Sequence, residues 1–213
     1  MTRLAIVVEG ETEEEFVKQV LAKYLYSFGV VPHAIMPRRR GITSGGALPV
    51  NHLASQMYKL YWNFDFITSL FDLYGFPGRP SGESVEDLER RINDEVEKLL
   101  GDDWDRSRVF AYVQKHEFEG LLFSDVEVFT HVPNVSQRSI RSLEDIRACF
   151  PTPEDIDDGP TTTPSKRILT LVPGYRKRLY GPILAEEAGL ARIRAECPRF
   201  DSWVSRLESL GSP

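Results

Sequence analysis

Hydrophobic residues in the first 114 positions alternate between strand-like and helix-like patterns. Leu4–Val8 is a continuous apolar run, which is typical of a strand buried on both faces of a parallel sheet. Three further strands are predicted at Val30–Met36, Phe64–Phe71 and Val109–Gln114. Between the strands, apolar residues at helical spacing predict helices over residues 12–28, 53–62 and 84–100. This alternation predicts a doubly wound, Rossmann-like α/β fold in which helices flank a parallel sheet.

Polar residues and glycines mark the ends of these predicted helices. Thr12 and Glu15 form a T-x-x-E capping box, which predicts that the first helix begins there. Gly29 is placed to end that helix as a glycine just beyond its last turn. Ser84 is the predicted N-cap of the third helix.

The pattern changes after Asp125, where no strand of comparable quality follows. Helices are predicted over residues 140–149, 165–172 and 182–210, with a loop rich in proline, threonine and aspartate at 151–164. We therefore expect an α/β core over residues 1–128. Residues 129–213 are expected to form a helical C-terminal region packed on that core, in one structural domain.

Composition and charge narrow the class of protein. The chain has 213 residues, and its two cysteines, Cys149 and Cys197, with four scattered histidines, give neither a disulfide framework nor zinc spacing. The apolar run at the N-terminus is too short for a signal peptide or a membrane span, so a cytoplasmic protein with no membrane association is expected. The net charge is −6, but residues 160–213 carry +4 and the rest −10. This asymmetry is compatible with metal ligands beside phosphate-binding cations, and equally with ordinary surface charge.

Carboxylates follow three of the predicted strands. Glu9 follows the first strand, Asp72 the third, and Glu117 and Glu119 the fourth. In open α/β sheets the ligand site lies beyond the carboxyl ends of the strands. Oxygen ligands gathered there suit Mg²⁺, which stabilises charge on a phosphoryl group and activates water.

Each of these carboxylates also has a purely structural explanation. Glu13, Glu14 and Glu15 fit a helix N-terminus, where they favour the helix dipole, and we assign them mostly to that role. Asp72 fits a turn before Gly75, and the two HEFE glutamates fit a solvated helix start. His116 is a candidate general base or an orienting group, although local packing is the commoner role of such a histidine.

Cations supply the other half of a predicted phosphodiester site. Lys166 and Arg167 lie at a predicted helix start, where backbone N–H groups also favour anions. Arg38, Arg39 and Arg40 lie in a glycine-containing loop that is suited to a nucleic-acid backbone, or is simply solvated. A third group contains three basic residues between two tyrosines: Tyr175, Arg176, Lys177, Arg178 and Tyr180. The basic residues could bind phosphate and the tyrosines could stack on bases, although core packing is the favoured role of the tyrosines.

Several motifs carry a resemblance to known proteins. The segment VVEGETEEEF resembles the opening motif of Toprim domains in overcoming-lysogenization-defect nucleases. Together with LFDLYGFP, HEFEGLLF, TPSKRI and CPRFDSWVSRL, it is identified as a signature of the bacterial family known as domain of unknown function 4276. These motifs span nearly the whole chain in the same order. The resemblance implies a Toprim-like sheet and a Mg²⁺ or Mn²⁺ site.

The resemblance also implies roles for particular residues. Glu9 matches the Toprim glutamate, a metal ligand or general acid/base, and Gly10 would allow close approach of a phosphate. Asp72 matches the first aspartate of the D-x-D motif, but Tyr74 stands where the second is expected. Glu119, or else Glu117, is then expected to supply the missing carboxylate. Lys166 and Arg167 are expected to neutralise the phosphate.

Two functions follow as hypotheses. The first is a divalent-metal-dependent phosphodiester hydrolase, a Toprim-like nuclease acting on DNA or RNA. The resemblance alone implies that it would act in phage defence beside a separate ATPase. The chain has no P-loop motif, so it is not itself expected to be a P-loop ATPase. The second is a non-catalytic Toprim-like module that binds nucleic acid, a nucleotide or a partner protein. The absence of a second D-x-D aspartate favours the module, and the retained Glu9, Asp72 and HEFE segment favour the enzyme.

Overall fold

A computed structural model describes residues 1–37, 48–102, 104–157, 159 and 161–211. Two compact units are present. The first comprises Met1–Gln114 and Arg206–Pro213, and the second comprises Lys115–Ser205.

The described part of the first unit contains a five-stranded sheet whose strand pairs are all parallel. The order is β2-β1-β3-β4, and β5 also pairs with β3. The strands are β1 (Thr2–Val8), β2 (Val30–Ile35), β3 (Phe66–Asp72), β4 (Val109–Phe110) and β5 (Val113–Gln114). The predicted parallel α/β fold is therefore confirmed.

The fourth predicted strand is divided into β4 and β5. Ala111 and Tyr112 interrupt the pairing with β3. The buried Ser69 hydroxyl spans the interruption, since it donates to the Tyr112 carbonyl at 2.9 Å and accepts from the Tyr112 N–H at 3.0 Å. An apolar run predicts burial well, but it cannot predict a local break in strand pairing at which a serine side chain bonds the backbone instead.

The first helical segment differs from its prediction at the N-terminus. It comprises α1 (Glu11–Phe16), a π-helical turn (Val17–Leu21) and α2 (Ala22–Leu25). The prediction of a Thr12–Glu15 capping box is wrong. The N-cap residue is Gly10, no side chain caps the helix there, and Thr12 lies buried inside the helix. Gly29 does end the segment, with a left-handed φ of 76°.

Two longer helices, α3 (Val50–Leu60) and α4 (Val85–Leu100), cover one face of the sheet. Ser84 is the N-cap of α4 as predicted, since its hydroxyl accepts from the Asp87 N–H at 3.1 Å. Burial on this face is nearly complete along the apolar positions of both helices and of the strands beneath them: Ala5, Val7, Leu53, Met57, Ile67, Phe71, Leu88, Ile92, Val96 and Val113.

The described part of the second unit is helical, as the pattern after Asp125 predicts. It contains α5 (Gln137–Ala148), α6 (Pro164–Leu171), α7 (Lys177–Ala188), α8 (Leu190–Glu196) and most of α9 (Pro198–Glu208). Two short 3₁₀ segments, Phe118–Ser124 and Val126–His131, precede α5, and a third, Pro153–Asp155, lies between α5 and α6. In the portion of the chain that the structure describes, no helix combines the length and apolar character needed to cross a membrane.

Candidate metal site

Glu9 lies directly beyond β1, beside the end of β3. The two strands are paired up to Val8 and Leu70, and the Glu9 N–H donates to the Leu70 carbonyl at 3.3 Å. Asp72 is the last residue of β3. The carboxyl ends of two neighbouring parallel strands therefore bring Glu9 and Asp72 to the same edge of the sheet, where α/β proteins place their ligands.

The two residues are in direct contact. Glu9 Oε2 accepts a hydrogen bond from the Asp72 N–H at 3.0 Å. Asp72 is only 6% exposed, although it ends a strand. Its side chain makes no capping hydrogen bond to the following 3₁₀ turn, Leu73–Gly75.

Gly10 and the first turn of α1 follow Glu9 directly in the chain. Gly10 adopts an extended conformation, and its carbonyl accepts from the Glu14 N–H at 3.0 Å, which starts α1 directly beside Glu9. Glu13 lies in the first turn of α1, the position expected to favour the helix dipole, and it is also buried, with 3% of its surface exposed. Its position, three and four residues before the buried Phe16 and Val17, is the sequence signal that predicts an inward side chain.

The donor set is suitable for a small, hard cation. Mg²⁺ commonly binds through one or two carboxylates, keeps several waters, and takes further oxygens from a phosphate. Glu9 and Asp72 fit that pattern. Within the described ranges, no group of three or more His, Cys, Asp or Glu side chains is arranged to hold a metal. Tyr74, at the place of the second D-x-D aspartate, is 45% exposed.

Glu119 lies in the second unit and has protein partners there. It is 0% exposed, and its Oε2 lies 2.9 Å from the Lys177 ammonium. The buried Tyr175 hydroxyl donates to Oε1 at 3.3 Å. Burial raises the pKa of Glu119, and the Lys177 charge opposes that rise. Its expected place in the metal shell stays a prediction.

Glu117 accepts a hydrogen bond from the N–H of Ser165 at 2.8 Å. Ser165 lies in the first turn of α6, as the sequence predicts, and the anion held at that helix start is the chain's own carboxylate. Lys166 is exposed on α6. Arg167 donates to the Thr162 carbonyl at 2.5 Å, and its guanidinium lies over the Phe150 ring.

His116 has an unusual backbone conformation, with a φ of 65°. Its Nδ1 lies 3.3 Å from an Asp157 carboxylate oxygen, and the neighbouring Lys115 forms an ion pair with Asp155 at 2.6 Å. Burial lowers the pKa of His116, although Asp157 acts in the opposite direction. These pairs tie the start of the HEFE segment to residues 155–157, as the local-packing explanation predicts.

The remaining sequence candidates fall into two groups. Arg38, Arg39 and Arg40 lie outside the described residues. In the basic group of the second unit, Tyr175 is a core residue, as favoured from the sequence, and Lys177 is the ion-pair partner of Glu119. Of the predicted ligands, the structure brings Glu9 and Asp72 together within the first unit. It places Glu117 and Glu119 in the second unit.

Two features of these sites were missed from the sequence. One is the contact of Glu9 with Gly75, where an added Cβ would overlap the Glu9 carboxylate. The other is the pairing of Glu119 with Lys177, which the sequence suggested only as a phosphate-binding cation. Both depend on contacts between segments far apart in the chain, for which no spacing rule exists.

The parallel sheet flanked by helices, followed along the chain by a helical region, defines an α/β protein whose fold is consistent with the Toprim-like fold. The chain belongs to the family described as Domain of unknown function (DUF4276), whose model matches residues 8–208. Among solved structures, the C-terminal region of the Burkholderia pseudomallei OLD protein is similar, with 20% sequence identity and a TM-score of 0.50. The match covers 98% of this chain and 99% of that chain, and at this identity it shows the fold alone. No curated protein matches the sequence.

Proposed function

We propose that this protein is a divalent-metal-dependent phosphodiester hydrolase that acts on nucleic acid. The observation that carries the proposal is the contact between Glu9 and Asp72 at the carboxyl edge of β1 and β3. The similarity in fold to the C-terminal region of an OLD protein supports it, because the sequence motifs resemble the nucleases of that type.

Glu9 and Asp72 would hold Mg²⁺ or Mn²⁺ through their carboxylate oxygens. The cation would stabilise charge on a phosphoryl oxygen and lower the pKa of a bound water. The protein residues fix the direction of the two carboxylates: the backbone N–H of Asp72 orients Glu9, and burial restricts the Asp72 side chain. Restricting both ligands reduces the reorganisation needed when the cation and a phosphate bind.

The other predicted site residues keep their proposed roles, to be tested one by one. Glu119 and Glu117 are proposed as further carboxylates, and Lys166 and Arg167 as phosphate-binding cations. Glu119 already pairs with Lys177, and Glu117 already accepts a hydrogen bond from the Ser165 N–H, so a metal would compete with these partners. This competition makes Glu9 and Asp72 the first positions to substitute.

The test is a cleavage assay on single-stranded DNA, double-stranded DNA and RNA, each with Mg²⁺, Mn²⁺ or EDTA. We expect metal-dependent cleavage that falls by at least about 100-fold in Glu9→Gln and Asp72→Asn, since each removes a charged ligand of the metal. Glu15→Gln is the matched control. It removes one acid from α1, the helix that begins two residues after Glu9, but Glu15 bonds to Lys18 and Gln19. Cleavage that survives both site substitutions unchanged would contradict the proposal.

A non-catalytic Toprim-like module is the second candidate, and Tyr74 favours it. An exposed tyrosine replaces a charged ligand at the position where the family resemblance expects an aspartate. Under this alternative, nucleic acid, a nucleotide or a partner protein binds, but no substrate is cut with any metal. Fluorescence anisotropy with labelled DNA and RNA, run beside the cleavage assay, separates the two functions. The separate ATPase and the role in phage defence remain proposals drawn from the resemblance, and reconstitution with a candidate ATPase tests both.

A further inference from the structure

Gly75 has no conformational reason to be glycine. It ends the 3₁₀ turn Leu73–Gly75 that follows Asp72. Its φ is not positive, unlike that of Gly78, which is 71°. A positive φ is a backbone conformation that residues other than glycine rarely adopt. Its carbonyl accepts from the Leu48 N–H at 2.7 Å, a bond that alanine would also make.

The space around Gly75 supplies a reason. A Cβ added there would overlap Glu9 Oε2, and it would lie 2.9 Å from Cδ and 3.2 Å from Oε1 of the same residue. All three of its nearest heavy atoms thus belong to the Glu9 carboxylate. The Glu9 carboxylate therefore occupies the volume that any other side chain at position 75 would take.

Other closely packed glycines differ in what they face. A Cβ at Gly120 or Gly174 would first meet a backbone carbonyl oxygen, that of Pro153 at 3.3 Å or Pro133 at 3.0 Å. Such atoms move only with the chain. At Gly75 the obstacle is the far end of a flexible side chain, so an alanine can be accommodated by turning the Glu9 carboxylate away.

We propose that Gly75 is a positioning residue that acts through Glu9, an inference that rests on the proposed metal-binding function. The Asp72 N–H holds the Glu9 carboxylate from one side at 3.0 Å, and the missing Cβ of Gly75 leaves the room in which that carboxylate lies. The two ends of the turn from Asp72 to Gly75 thus fix one metal ligand. Restraint of a ligand by neighbouring groups commonly changes metal affinity by about 10–100-fold.

The first experiment compares Gly75→Ala with Gly78→Ala by calorimetric titration of Mn²⁺. Gly75→Ala is expected to weaken Mn²⁺ binding by about tenfold or more, because the Glu9 carboxylate must leave its place. Gly78→Ala is the matched control. It strains the backbone at a positive φ, but its Cβ would meet no atom within 4 Å, so Mn²⁺ affinity should stay within about twofold. Equal Mn²⁺ affinity in Gly75→Ala and the unmodified protein would overturn the proposal.

A double-substitution cycle tests whether the effect passes through Glu9. Glu9→Asp shortens the side chain by one methylene and withdraws the carboxylate from the space beside position 75. In the Glu9→Asp background, Gly75→Ala should therefore change Mn²⁺ affinity by no more than about twofold. A loss as large as in the Glu9 background would assign the effect to the turn itself and overturn the proposal.

Thermal unfolding of the same four proteins without metal provides a readout that does not depend on the proposed function. Gly75→Ala should lower the melting temperature by more when position 9 is unchanged than in the Glu9→Asp background. If the unmodified protein binds no Mn²⁺, the metal function fails, while this coupling still decides the role of Gly75. If Gly75→Ala alone fails to fold, folding of the double variant supports the proposal and its failure to fold contradicts it.

Discussion

Replacing Lys177 with methionine leaves the Glu119 carboxylate, which is fully buried, without the ammonium group 2.9 Å from its Oε2. Removing one partner of a buried ion pair typically destabilises a protein by about 3–5 kcal/mol. The Lys177 side chain is 39% exposed, so water screens part of the attraction, and we expect a smaller loss of about 2–3 kcal/mol at pH 8. The hydrogen bond from Tyr175 remains and limits the loss further.

The loss should depend on pH in a defined direction. Burial raises the pKa of Glu119, and Lys177 opposes the rise, so removing Lys177 raises that pKa further. In the unfolded chain a glutamate titrates near pH 4.3. Between that pH and the raised pKa of the folded variant, the folded protein keeps a proton on Glu119 that the unfolded chain has released. The stability associated with the neutral carboxyl is present below the unfolded pKa and is lost as pH rises through the folded pKa. The deficit of Lys177→Met should therefore be smaller at pH 5 than at pH 8.

Urea unfolding followed by circular dichroism at both pH values measures this deficit. Lys166→Met is the matched control, because it makes the same change at an exposed lysine. In a Glu119→Gln background, Lys177→Met should cost less, since no buried charge is left behind. A variant as stable as the unmodified protein at pH 8, or a deficit equal at both pH values, would refute the reasoning.

Three further predictions concern the scaffold. Ser69→Ala should lower the free energy of unfolding by about 2–4 kcal/mol in urea denaturation, because the Tyr112 N–H and carbonyl both lose their bond to the buried hydroxyl. A thiol reagent should label Cys149, which is exposed, and leave Cys197 unmodified in the folded protein, since burial raises the pKa of Cys197 to about 12; labelling of both without denaturant would contradict this. Arg108→Ala should lower the melting temperature measurably, because its guanidinium bonds three backbone carbonyls around the end of α3.

The sequence predicts the first unit well where burial alone decides the outcome. Leu4–Val8 lies within β1, and Asp72 ends β3, because continuous apolar runs bounded by polar residues mark buried strands and their ends. The placement of Glu9 beside Asp72 follows from the same logic, since neighbouring parallel strands end at the same edge of the sheet.

Prediction fails where the folded chain departs from a local sequence signal. Thr12 and Glu15 have the spacing of a capping box, yet Thr12 is buried inside α1 because the helix begins one residue after Gly10. Gly75 looks like an ordinary turn glycine, and only the folded chain shows that Glu9 occupies its side-chain volume.

The HEFE segment shows the same limit for the proposed chemistry. From the sequence, Glu117 and Glu119 are acids that follow a strand, and Glu119, or else Glu117, is expected to bind the metal. In the structure, Glu117 accepts a hydrogen bond from the Ser165 N–H at the start of α6, and Glu119 forms an ion pair with Lys177, both within the second unit. The residue types are those that the chemistry needs, but spacing along the chain cannot say whether a carboxylate meets a cation from the protein or from solution.

Calorimetric titration with Mn²⁺ shows whether Glu9 and Asp72 together hold a divalent cation. We expect saturable binding to the unmodified protein, weakened by at least about tenfold in Glu9→Gln and in Asp72→Asn, and unchanged in Glu15→Gln. Binding that both site variants retain at full affinity, or no binding of Mn²⁺ at millimolar concentration, would show that these two carboxylates do not form a metal site.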